Sequence, residues 1–246
     1  YLHDSRDKSI QVNAGGSLTI EHCEFAGCEK ALRIQGSSTM DTIAVFRNNW
    51  VHPSTFGQQK VVGDAIIISD GSCTVENNII ETANIAVEFL MQSTPYAEAL
   101  IRNNIFRDNS VCGVEARVSN TETIHLRMDH NEIRHITTGS IGVHLQGEGT
   151  VLADLGGGSV PLMIDDPNLP TPSSPGLNKI LQFGRSALKN ETNQTASAKY
   201  NEWDATTPQQ VLNNCTEGLV TVDPLAAPGT AGPVGPTGPQ CPPYCP

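Results

Sequence analysis

Val75-Glu76-Asn77-Asn78-Ile79-Ile80 and Ile101-Arg102-Asn103-Asn104-Ile105-Phe106 carry one pattern twice: an apolar residue, a charged residue, two asparagines and an apolar pair. Working outward, Phe46-Arg47-Asn48-Asn49 and Met128-Asp129-His130-Asn131 repeat it, and Ile20-Glu21-His22-Cys23 repeats it without the final amide. The last members are spaced 26, 29, 26 and 27 residues apart. Two residues after each comes a large apolar side chain: Phe25, Val51, Ile80, Phe106 and Ile133. Three and five residues before each lie Ile20/Leu18, Phe46/Ala44, Val75/Cys73, Ile101/Ala99 and Met128/Leu126, the alternation of a strand with one buried face. A second alternating segment follows in every copy: Leu32-Arg33-Ile34, Ile66-Ile67-Ile68, Val87-Glu88-Phe89, Val114-Glu115-Ala116 and Val143-His144-Leu145. Ile10-Gln11-Val12 reads as the same strand from a coil that is otherwise missing.

One such turn of chain cannot bury its apolar positions and pair its backbone donors alone. Stacked turns do both, because each strand then pairs in parallel with its equivalents above and below at about 4.8 Å. The short coils, with an asparagine pair between apolar residues, resemble the right-handed parallel β-helix family over about residues 9–155. The resemblance and the general preference for right-handed crossovers imply the handedness. The fold class expected is therefore all-β, a right-handed parallel β-helix with a C-terminal cap and a Pro/Gly-rich, collagen-like tail.

Stacking turns spacings into files. Asn49, Asn78, Asn104 and Asn131 are expected to form an inward ladder at a bend, headed by Cys23. Glu21, Arg47, Glu76, Arg102 and Asp129 alternate in sign up one outer face, which favours the register mildly. The longest insertion, His52 to Asp64, should project as a loop, the usual binding element of a solenoid.

The chain has 246 residues, 15 basic against 26 acidic, for a net charge of −11. That balance repels polyanions, so nucleic acid and anionic membrane are not expected partners. No apolar run approaches the roughly 18 residues of a membrane span, and a soluble chain is expected. Gly (22) and Pro (16) with only 5% aromatic and 17% charged residues oppose a helical bundle and favour short strands between turns. The opening at Tyr1, without Met, reads as processing or as a stretch of a longer product, so what precedes it is unknown.

The expected division is coils over 1–155, an irregular segment with closing coils and cap over 156–226, and the tail over 227–246. Leu177–Ile180 and Ala198–Trp203 resemble the closing coils of bacterial β-helix proteins, and Thr207-Pro208 fits the start of a short covering helix. From Gly229 a glycine stands at every third position, the collagen register, ending in Cys241 and Cys245. Two readings of this tail are open: a disordered linker, or a trimerising or filament-linking strand. None of the seven cysteines forms a Cys-x-x-Cys pair, which removes zinc-ribbon, thioredoxin-like and c-type haem readings. Cys23, Cys73 and Cys112 fall at inward columns as fillers. Cys215, Cys241 and Cys245 are disulfide candidates in exposed or terminal contexts. Asn190, Asn193 and Asn214 head glycosylation sequons, and with the resemblance they favour an extracellular or cell-surface location.

Many β-helix proteins are polysaccharide lyases or hydrolases. The Asn-Thr-Asp, Gly-His-Gly and Arg-Ile-Lys motifs of polygalacturonase-like hydrolases are missing, as is the Arg-x-x-Arg-x-Pro of pectate-lyase-like enzymes, so the resemblance carries no catalytic residue over. The best catalytic candidates are the outward column Glu88, Glu115 and His144, with Arg33 at its far end and Arg117 beside it; an ordinary solvated face is the plainer reading. Asp165-Asp166-Pro167-Asn168 would suit Ca²⁺ or a plain turn, His125, His130 and His135 do not converge on a metal, and no cofactor is expected. The leading expectation is an extracellular structural solenoid: a rigid spacer, adhesive module or subunit of a self-associating fibre or trimer, leaning away from an enzyme. The alternative is a carbohydrate-active protein that binds or cleaves an extended glycan.

Overall fold

The computed structural model describes residues 2–3, 7–37, 42–54, 63–134, 139–162, 164, 174–181, 184–235 and 237–239. The chain is a parallel β-solenoid of about seven turns. Each turn gives one strand to each of three eight-stranded sheets, and every strand pair is parallel. The first sheet runs from Lys8–Asn13 to Thr216–Gly218, the second from Ser17–Glu21 to Val220–Thr221, and the third from Leu2–His3 to Glu202–Trp203. Turns are counted here from the one that begins at Lys8. In the fourth, the strands are Ile85–Met91, Tyr96–Arg102 and Ile105–Arg107.

Equivalent side chains stack. Phe25, Val51, Ile80, Phe106, Ile133, Ile180 and Trp203 form one inward file of the third sheet through successive register pairs. Ile20, Phe46, Val75, Ile101 and Met128 form another on the second sheet. Together they make one continuous core, in which Phe25 and Phe46 rings lie 5.6 Å apart. Cys73 fills this core, whereas Cys112 packs with Ile85 and Ile141 in a small separate cluster and Cys23 is half-buried.

The solenoid continues past residue 155. After Thr150–Gly156 the chain leaves the stack and lays Val160 and Leu162 against Leu100. It re-enters at Lys179–Leu181, which pairs with Glu132–Arg134 in the file the excursion interrupted. Asp154, fully buried, holds the exit and return together by accepting from the backbone N–H groups of Gly156 (2.9 Å), Gly158 (2.9 Å) and Ser174 (2.8 Å). Helix Pro208–Asn214 starts at Thr207, whose side chain accepts from Gln210 N–H, and it places Val211 in the core. No helix among the described residues is long and apolar enough to cross a membrane.

Candidate functional site

The bend between the second and third sheets carries the asparagine file. The residue before each anchor takes a left-handed conformation, with φ near +56° at His22, Asn48, Asn77, Asn103, His130, Leu177 and Tyr200. Asparagine tolerates that region at little cost, which accounts for the first Asn of each pair. The second points inward. Oδ1 of Asn78 accepts from Asn49 N–H (2.9 Å), Asn104 from Asn78 (2.9 Å) and Asn131 from Asn104 (3.0 Å). The file runs on where the spacing in the chain does not: Asn131 N–H donates to Asn178 (3.1 Å) and Asn178 N–H to Asn201 (2.8 Å). All six are fully buried. Each amide nitrogen reaches a main-chain carbonyl nearer the N-terminal end, as Asn104 Nδ2 reaches Val75 O at 2.9 Å.

Outside the bend, Arg47 pairs with Glu21 (2.6 Å) and Arg102 with Glu76 (2.9 Å), from the sign-alternating column. Half-exposed pairs of this kind set register and add little stability.

The outward file of the first sheet reads Gln11, Arg33, Ile67, Glu88, Glu115, His144, Lys189 and Glu217. The structure therefore brings Glu88, Glu115 and His144 together on consecutive rungs. Glu88 and Glu115 are only 8% and 4% exposed although their strand face points away from the core. Glu115 Oε1 accepts from Arg117 (2.8 Å) and from the Gln146 amide, with His144 Nδ1 at 3.9 Å. His144 Nε2 meets Glu191 at 2.7 Å, and Lys189 with His144 holds that carboxyl down to about 2. Burial pushes the Glu88 carboxyl up to about 7; the charges of Asp64 and Glu115 add to the push, and Arg117 and Lys30 oppose it. Asp64 is also raised, first by burial. A carboxyl that stays protonated to neutral pH, one rung from the Glu115 carboxyl that Arg117 and Gln146 hydrogen-bond, is placed to give and take a proton at one spot.

Sequence reasoning omitted Asp64, Gln146, Lys189 and Glu191 from this group. Asp64 closes an insertion whose length hides its rung, whereas Gln146 and Lys189 were readable one step along the same files.

Two other expectations change. Asn190 is 4% exposed, and its Nδ2 donates to Gln194 O and Leu219 O, both at 2.7 Å, so the folded chain offers no glycosylation acceptor there. It occupies the inward file after Leu145, a core position. Asn193 and Asn214 are exposed. Cys215 is not in an exposed context but is a buried free thiol, 3% exposed, packed with the core. The other disulfide candidates, Cys241 and Cys245, lie outside the described residues, as do His135 and Asp165 to Asn168. Of the remaining histidines, His130 faces Asp129 at 3.0 Å at the bend, and His125 lies 3.0 Å from the Tyr96 hydroxyl on the second sheet. Among the described residues no cluster of three or more His, Cys, Asp or Glu is arranged to hold a metal ion.

The family model for the right-handed beta helix region matches residues 1–154, which contain the whole Glu88, Glu115 and His144 group and the asparagine file as far as Asn131. No curated protein matches the sequence, and no solved structure does. With the repeat, the in-register parallel sheets and a match over more than half of its length, the chain belongs to the right-handed β-helix family.

Proposed function

We propose that the protein is a structural module, a rigid β-solenoid that serves outside the cell as a spacer between whatever its two ends carry. The observation that supports this most is the asparagine file from Asn49 to Asn201, in which one buried hydrogen bond ties every turn to the next without a hinge. Seven rungs at about 4.8 Å make a stiff unit roughly 34 Å long. The exposed sequons at Asn193 and Asn214 suit an extracellular setting. Adhesion and fibre assembly are narrower versions of the same role. Small-angle X-ray scattering across ionic strengths tests it: one unchanging compact rod is expected, and a salt-dependent ensemble of bent shapes would remove the spacer role.

A second reading has its own support in Glu88. A carboxyl raised to about 7 next to Glu115, on strands about 4.8 Å apart, suits acid and nucleophile or base work on a glycosidic bond. Release of reducing ends or unsaturated products from acidic or neutral polysaccharides, abolished in Glu88→Gln and Glu115→Gln, would establish this reading in place of the first.

A further inference from the structure

We propose that residues 226–235 and 237–239 form a strap bound in cis along the outer bend of their own solenoid, and that this bend is a binding groove for glycine-proline triplets. The segment runs back against the direction of stacking. Ala226 N–H donates to Asn201 O (3.0 Å) and Gly229 N–H to the Glu202 carboxylate (2.9 Å), both on the seventh turn. Gly232 N–H then donates to Leu177 O (2.7 Å) on the sixth, Val234 N–H to Asn103 Oδ1 on the fourth, and Gly238 N–H to Asn77 O (2.7 Å) on the third.

The acceptors follow from the fold. Leu177 and Asn77 are left-handed bend residues, with φ of +57° at each, and their carbonyls point out of the stack where the strap meets them. Asn103 links the strap to the bend, accepting from Val234 and donating to the Asn77 side chain. The first asparagine of the pair thus has a partner-binding role besides its tolerance of the turn.

The triplet period has a cause other than collagen. Gly229, Gly232, Gly235 and Gly238 have φ of +79°, +106°, +88° and +81°, whereas a polyproline II strand keeps φ near −75°. Six residues from Gly232 to Gly238 cover three rungs, about 14 Å at 4.8 Å each, where polyproline II would cover roughly 19 Å. Gly232 and Gly238 are buried, and a Cβ at Gly238 would come within 3.1 Å of Ile79 Cδ1. In a collagen trimer the glycine N–H groups bond to a neighbouring chain; here two of them are already bonded to Leu177 and Asn77. One set of donors cannot serve both structures.

Residue-resolved hydrogen exchange on the full chain, at two protein concentrations, tests the proposal against a synthetic peptide of residues 226–246. The amides of Gly232, Val234 and Gly238 should exchange at least about ten-fold slower in the protein than in the peptide, equally at both concentrations. The double substitution Gly232→Val with Gly238→Val should return them to the peptide rate while Asn78 N–H and Asn104 N–H keep their protection. Peptide-like exchange in the unmodified chain would overturn the proposal. Protection that appears only at the higher concentration would overturn it in favour of docking onto another copy, and protection that survives the double substitution would overturn the assigned contacts.

Discussion

Replacing Asn104 by alanine removes a side chain that touches both neighbouring turns. Asn78 N–H loses its acceptor, Asn78 Nδ2 keeps Phe46 O but loses Asn104, and Val75 O loses a donor. A buried backbone donor left unpaired costs about 1–3 kcal/mol, and the weakened carbonyl with the small void adds about 1–2 kcal/mol. The expected loss is about 2–5 kcal/mol, a large share of a typical domain's stability. In a chain of this size it lowers Tm by about 10 °C. Asn201→Ala, at the end of the file, leaves the Asn178 N–H unpaired while Asn178 Nδ2 keeps Met128 O and Leu155 O, and should cost less, about 1–3 kcal/mol. Asn104→Asp keeps the acceptor oxygen but buries an acid whose folded-state pKa must rise. Its stability should therefore be best at low pH and fall as pH rises. Thermal and urea denaturation of the three variants supply the test, the urea slope being checked for constancy. A loss below about 1 kcal/mol for Asn104→Ala, or an equal loss at both positions, would refute the ladder as a cooperative element.

Glu88 gives a pH dependence of definite sign. Its carboxyl rises to about 7 in the folded chain, above the usual 4.5, so folding favours the protonated form and stability from this group declines as pH climbs through 7. Glu88→Gln should match the parent at pH 4 and exceed it at pH 8 by about 2 kcal/mol or less, read from urea midpoints. Asp70 has the opposite sign: burial raises its carboxyl, but the N–H groups of Gln92, Ser93 and Thr94 lower it further than burial lifts it. Stability from Asp70 should be present above the ordinary carboxylate range and fade as pH falls, and Asp70→Asn should flatten the acid limb of the stability curve. Asp154→Ala strands three backbone donors at the excursion and should cost about 3–5 kcal/mol by the same denaturation assay. Exchanging Glu21 and Arg47 for one another re-forms that half-exposed pair with its charges reversed but sets a carboxylate at position 47 directly opposite Glu76, so stability, measured by Tm, should fall by about 0.2–1 kcal/mol.

The repeat was legible because one backbone bend recurs every 26 to 29 residues in the first five turns, and all but the first, at Cys23, place an inward amide there. The same arithmetic placed Glu88, Glu115 and His144 on consecutive rungs. It failed at Asn178 and Asn201, which lie 47 and 23 residues beyond their predecessors. A solenoid can eject a long segment at a bend and resume in register, since the strands pair by position in space and not by distance along the chain. Asp64 was hidden in the same way by the insertion before it. Asn190 was misread for a different reason: a sequon specifies three residues but not which way the asparagine faces, and this one follows Leu145 into the core. The glycine triplets were ambiguous in principle, since glycine is required both at a collagen axis and at positive φ.

Scalar couplings transmitted through hydrogen bonds in a deuterated, ¹⁵N,¹³C-labelled sample test the central claim most directly. The account predicts a coupling from the backbone nitrogen of each file member to the side-chain carbonyl carbon of the next: Asn49 to Asn78, Asn78 to Asn104, Asn104 to Asn131, Asn131 to Asn178 and Asn178 to Asn201. Couplings that stop at Asn131, or that connect Asn131 to a residue other than Asn178, would contradict it.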